Sequence, residues 1–94
     1  MLLKSKWEIN NIYESPRKHK KYRVALVNKI NGNIKLIDFG DNRYQHYEDK
    51  TELKLYSNLN HYDKQRRKNF IARHKRNIKL GYYSSAYFSK KYLW

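Results

Sequence analysis

The sequence predicts an α+β fold in one small domain: an antiparallel β-hairpin or small sheet packed on one main basic helix near the C-terminal end. Three observations predict it. Asn31-Gly32 lies between two runs of strand formers, residues 22–28 and 34–39. Asp63 precedes a segment in which Phe70, Ile71, His74 and Ile78 recur at helical spacing. Ten Tyr, three Phe and two Trp in 94 residues supply the apolar surface that basic disordered tails lack. A chain of this length makes one domain with a thin core.

Residues 1–21 are read as an N-terminal arm. Trp7 and Ile9 alternate onto one side, as in an edge strand or an arm, and Pro16 ends the stretch because proline cannot donate to a ladder. A basic cluster follows at Arg17, Lys18, Lys20, Lys21 and Arg23, with His19 inside it.

Residues 22–40 form the hairpin. Asn-Gly suits a two-residue type I′ turn, whose central residues both need positive φ. Centring the turn on Asn31-Gly32 sets Val24 opposite Phe39 and Leu26 opposite Ile37 on one face. Ala25, Val27, Ile34 and Leu36 then occupy the other. Both faces carry apolar residues and a lone hairpin is unstable in water, so each face is expected to meet something. The helix covers one, and the N-terminal segment or a partner the other.

Residues 40–62 lack a clean period. Gly40-Asp41-Asn42 signals a turn. Tyr44, Tyr47, Leu53, Leu55, Tyr56 and Leu59 are apolar anchors, and Glu48, Asp49 and Glu52 gather acidic charge. The segment is expected to be a loop with a short helix or strand near 51–57.

Residues 63–79 form the main helix. The Asp63 carboxylate can accept from the free amides of the first turn. Behind the apolar stripe, cations cover the remaining surface, and Gly81 suits the C-terminal end. In residues 82–94, Ser84 or Ser85 caps a last short helix carrying Tyr87, Phe88, Tyr92, Leu93 and Trp94.

Charge decides the functional reading. The formal net charge is +14, and residues 60–94 hold ten Lys/Arg against Asp63 alone. Self-repulsion at this density calls for a polyanionic or acidic partner. Nucleic acid is the commonest; an acidic protein surface or anionic lipid headgroups satisfy the same physics. The candidate binding residues are Arg66, Arg67, Lys68, Arg73, Lys75, Arg76 and Lys79 on the helix, with Arg17, Lys18 and Lys20. Cations placed opposite phosphates gain affinity by counterion release without reading bases. The competing reading is a solvated helix face. Lys, Asn, Tyr and Ile fill 42 positions, and all four have AT-rich codons, so composition can mirror the genome. The tyrosines are read as core residues before stacking platforms.

No catalytic or metal-binding constellation stands out, and neither cofactor nor metal is expected. The chain has no cysteine, and His19, His46, His61 and His74 lack ligand spacing. His74 sits on the helix's apolar stripe, as a core or hydrogen-bonding residue. Three glycines do not make a phosphate loop. A metal-dependent nuclease needs clustered carboxylates, for which Asp38, Asp41, Glu48 and Asp49 are the candidates. No stretch is apolar enough for a membrane span, so a soluble or peripheral protein is expected.

Phe39-Gly40, the spaced Tyr44 and Tyr47, His61-Tyr62-Asp63-Lys64, Arg73-His74-Lys75 and the closing Tyr92-Leu93-Trp94 form an ordered set. Over roughly residues 22–94 this resembles a family of short, basic proteins of unknown function from nucleocytoplasmic large DNA viruses and some protist hosts. Their plan is strand–turn–strand, Phe-Gly, a helix ending near Arg-His-Lys, and a terminal Leu-Trp. The chain departs from that plan in its acidic 48–59 segment and in Tyr83 and Tyr87, where the family prefers Trp. The resemblance implies a virion component, present in host cytoplasm or nucleus during infection. Such a protein would lie against packaged DNA, or act as a minor capsid (cement) protein touching acidic capsid subunits.

Overall fold

The computed structural model describes residues 2–79 and 82–94. Its elements are β1 (Leu2–Leu3), β2 (Trp7–Glu14), β3 (Lys20–Asn28), β4 (Ile34–Asp41), a 3-10 turn (Ser57–Leu59), α1 (Lys64–Lys79), β5 (Tyr82–Tyr83) and α2 (Ser85–Leu93). They form an α+β fold with two antiparallel sheets, β2-β3-β4 and β1-β5. Gly81, the expected helix terminator, lies outside the described residues.

The expected N-terminal arm is for the most part a full strand. β2 pairs along β3 from Trp7 opposite Asn28 to Glu14 opposite Tyr22. A register shift between Ile9 and Asn11 interrupts its alternation, which is why the sequence pattern reads weakly there.

The β3–β4 connection is wider than a type I′ turn. Asn28 N donates to Asn33 O at 2.8 Å, so four residues make the loop. The Asn28 side chain organises it: Oδ1 accepts from Ile30 N (2.9 Å) and Asn31 N (3.2 Å). In the loop only Gly32 has positive φ, at 75°. The register therefore sets Val24 opposite Ile37 and Tyr22 opposite Phe39, two residues from the expected pairing. A shift of two preserves the faces, since side chains alternate with period 2.

Tyr22, Val24, Leu26 and Phe39 are buried on the inner face. The helix lying on that face is the short aromatic α2, and the long basic α1 docks on α2. Phe39 meets Phe88 at 5.9 Å and Tyr92 at 5.7 Å between ring centroids. Gly40 lets α2 approach: its φ is +75°, and a Cβ there would lie 2.8 Å from Leu93 Cδ1. Ser84 caps α2 by accepting from Tyr87 N at 3.1 Å. At the other end, Glu48 N donates to Leu93 O (3.1 Å) and Lys50 N to Tyr92 O (2.8 Å).

Asp63 begins α1 as expected, its Oδ1 accepting from Gln65 N (3.0 Å) and Arg66 N (3.1 Å). Of the apolar stripe only Phe70 is buried, stacked on Trp94 at 4.6 Å and 4°. Ile71, His74 and Ile78 stay half-exposed, because α1 rests on the end of α2 and not on the broad sheet. On the outer sheet face Ile34 and Leu36 remain 52% and 50% exposed.

Residues 44–62 fold around buried polar groups. Lys21, His46, Asp49 and Thr51 are almost fully buried. Lys21 Nζ donates to Tyr44 O (2.9 Å) and to His46 Nδ1 (2.8 Å). That leaves the His46 proton on Nε2, donated to Asn60 Oδ1 at 2.6 Å. Asn60 Oδ1 also accepts from Asp49 N. The Asp49 carboxylate accepts from Thr51 N, Thr51 Oγ1, Tyr22 OH and Tyr56 N. Burial lowers the Lys21 amine to about 8, against the pull of Asp41 and Asp49. Burial and then the Lys21 charge lower His46 to about 4. Burial pushes Asp49 up, but its hydrogen bonds outweigh this and hold it below the ordinary carboxylate value.

Candidate anion-binding cleft

Two basic segments far apart in sequence meet at one end of the sheet. There β3 begins with Lys20 and Lys21, and β4 ends with Gly40 and Asp41. Along α1, Arg66, Phe70, Arg73 and Asn77 recur every three or four residues and so share a face. These two walls, the Tyr44-Gln45 turn and the start of α2 enclose a cleft of about 940 Å³.

Its charge is strongly positive. Lys20 lies on the sheet wall, Arg66 and Arg73 on the helix wall, and the Lys21 ammonium beneath. Among the described residues the one acidic group lining it is Asp41. Arg43 holds that carboxylate through Nη2 (2.7 Å), Nε (3.0 Å) and its own amide (2.9 Å), keeping it ionised and offset. Arg66 Nη1 donates to Gln45 Oε1 at 2.9 Å, which steadies the guanidinium across the cleft. Asn69, Asn77, Ser85 and Ser89 add uncharged hydrogen-bonding groups.

Of the ten predicted residues the cleft gathers Lys20, Arg66 and Arg73. Arg67 has a fastening role: its Nε donates to the Trp94 main-chain oxygen at 2.6 Å and its guanidinium lies 5.0 Å from the Tyr47 ring. Lys68 borders a smaller depression of about 250 Å³ with Lys64, Arg67 and Ile71. Lys75, Arg76 and Lys79 are exposed outside the cleft. Arg17 turns to the other side of the sheet, 3.6 Å from Asp38, which also binds Arg23 at 2.7 Å. Lys18 is exposed in the β2–β3 turn.

Sequence reasoning missed the cleft itself, the serines and asparagines in it, and Lys21 as a buried group. No local signal separates Lys21 from its neighbours. Three of the four carboxylates considered for a metal are engaged elsewhere: Asp38 with Arg23, Asp41 with Arg43, and Asp49 in the buried network. Among the described residues no group of three or more His, Cys, Asp or Glu could hold a metal ion. Among them, too, no helix is long and apolar enough to cross a membrane.

Fold and cleft together define a small basic α+β protein with a cation-lined groove at one sheet end. Residues 10–52, somewhat under half of the chain, are similar to a family of unknown function (DUF5754). That stretch spans most of β2, all of β3 and β4, and the network residues Lys21, His46, Asp49 and Thr51, and stops before α1. No curated protein and no solved structure matches the chain.

Proposed function

We propose that this is a non-enzymatic, virion-associated basic protein of a large DNA virus that binds the nucleic-acid backbone without reading sequence. The observation that carries the binding is the convergence of Lys20 with Arg66 and Arg73 in one cleft, flanked by the exposed cations of α1. Phosphate is the anion such a spread of point charges and guanidinium forks suits. The viral setting rests on the sequence resemblance, and with it a location in the virion and in host cytoplasm or nucleus. The engagement of Asp38, Asp41 and Asp49 within the fold supports a binding role over a nuclease. Binding to DNA is expected to weaken steeply with salt. With about six phosphates neutralised, affinity falls roughly a thousandfold between 50 and 200 mM salt. Titrations by fluorescence anisotropy at a series of salt concentrations read this directly, and an affinity indifferent to salt removes the proposal.

A second reading draws on the half-exposed Ile34 and Leu36 of the outer sheet face. A minor capsid protein of this net charge would set that apolar face against an acidic capsid subunit. It is then expected to remain at fixed stoichiometry in particle shells freed of their genome. Loss together with the DNA would rule this reading out.

A further inference from the structure

We propose that the cleft takes a single strand of nucleic acid, with phosphates held by Lys20, Arg66 and Arg73 and a base laid on Tyr44. This rests on the nucleic-acid reading above and names the form of the ligand.

The size of the cleft is the first argument. At about 940 Å³ it is on the scale of a small-ligand pocket, and it is walled by the sheet end, α1 and α2. A duplex, whose major groove alone is about 12 Å wide and admits a whole α-helix, is too thick to enter. One strand fits. Placement of the cations is the second. Arg66 and Arg73 are two helical turns apart on one wall, about 10.5 Å along the axis, which matches about three stacked nucleotides of one strand. Lys20 faces them from the other wall.

The third argument is aromatic. Tyr22, Tyr56 and Tyr92 pack against other rings, as the core reading of the tyrosines expects. Phe70 and Trp94 line the cleft but stack on each other. Tyr44 is different: it borders the cleft, is 65% exposed, and among the described residues pairs with no other aromatic ring, the Arg43 guanidinium lying 5.7 Å from its own. An open aromatic beside cations is what a sequence-tolerant stacking platform needs.

The test uses the full chain, a labelled oligothymidylate and a labelled hairpin duplex, with affinities read by fluorescence anisotropy and folding checked by circular dichroism. R66Q/R73Q is compared with K29Q/K35Q, which removes equal charge at the opposite end of the sheet. The cleft double variant is expected to lose at least tenfold more single-strand affinity than the distant one. Y44A is expected to lose about 5- to 100-fold for the single strand and little for the duplex, with Y44W restoring the loss. Should R66Q/R73Q fold poorly, K20Q on the sheet wall is expected to show a greater single-strand loss than K29Q. Equal losses for cleft and distant variants, or equal losses of Y44A on both nucleic acids, would overturn the cleft assignment while leaving backbone binding intact. A wild-type chain that binds neither nucleic acid overturns both.

Discussion

Replacing Asp49 by alanine is expected to lower the melting temperature by about 12 °C or more. The carboxylate is 1% exposed and accepts four hydrogen bonds, from Thr51 N and Oγ1, Tyr22 OH and Tyr56 N. Alanine leaves the buried Tyr22 hydroxyl and the Thr51 and Tyr56 donors short of an acceptor, and removes the negative charge that helps offset Lys21. Each stranded buried donor costs about 1–3 kcal/mol, and breaking a buried charge network about 3–5 kcal/mol. For a domain of this size each kcal/mol moves the melting temperature by about 4–8 °C. Thermal unfolding followed by circular dichroism measures it. A fall of less than about 4 °C would show that residues 44–62 are not organised by this carboxylate. The loss should also loosen the C-terminal end of α2, since Glu48 and Lys50 on either side of Asp49 donate to its last carbonyls.

Acidification is expected to destabilise the protein by roughly 2–3 kcal/mol between pH 6.5 and 4, most of it before the carboxylates titrate. His46 is the cause. Its folded value lies at about 4, below the ordinary 6.5, because burial and the Lys21 charge oppose the imidazolium. Within that window the unfolded chain binds a proton that the folded chain does not, so lowering the pH favours unfolding. The contribution is intact above pH 6.5 and is lost as the pH falls toward 4. His61, also lowered by burial, adds a contribution of the same sign. Lys21, at about 8 when folded, stays protonated in both states over this range. Asp38 and Asp49, both held below the usual 3.8, give up their stabilisation only at lower pH. Urea unfolding at pH 7.0 and 4.5 separates these effects. His46→Asn should be less stable at pH 7.0 but lose much less than the wild type on acidification. An unchanged acid loss in that variant would assign the titration to another group.

The sequence carried the local parts of this fold well. Asp63 and Ser84 begin the two helices as capping chemistry predicts. The inner face of the hairpin, with Val24, Leu26 and Phe39, was legible because period 2 survives a shift of two. The shift itself was not, because the Asn28 side chain captures two loop amides and outcompetes the tighter turn that Asn31-Gly32 favours. The choice between helices was also hidden. α1 has the longer stripe, but α2 brings Phe88, Tyr92 and Leu93 to the sheet at once. Lys21, His46 and Asp49 have the composition of a surface, and only their long-range partners make them interior groups. Arg66 and Arg73 were visible as cations, but their meeting with Lys20 depends on tertiary packing that no local spacing encodes.

The short ladder of β1 and β5 has a kinetic meaning. Leu2 pairs with Tyr83 and Leu3 with Tyr82, so two strands of two residues each close a loop of nearly the whole chain. Closure entropy grows with loop length, and so small a ladder cannot offset it until the intervening elements are in place. It therefore zips last during folding and separates early when the native state breathes. Tyr82, in this ladder, also borders the cleft. Opening of this ladder would therefore move one border of the groove, and hydrogen exchange at residues 2–3 and 82–83 would report it.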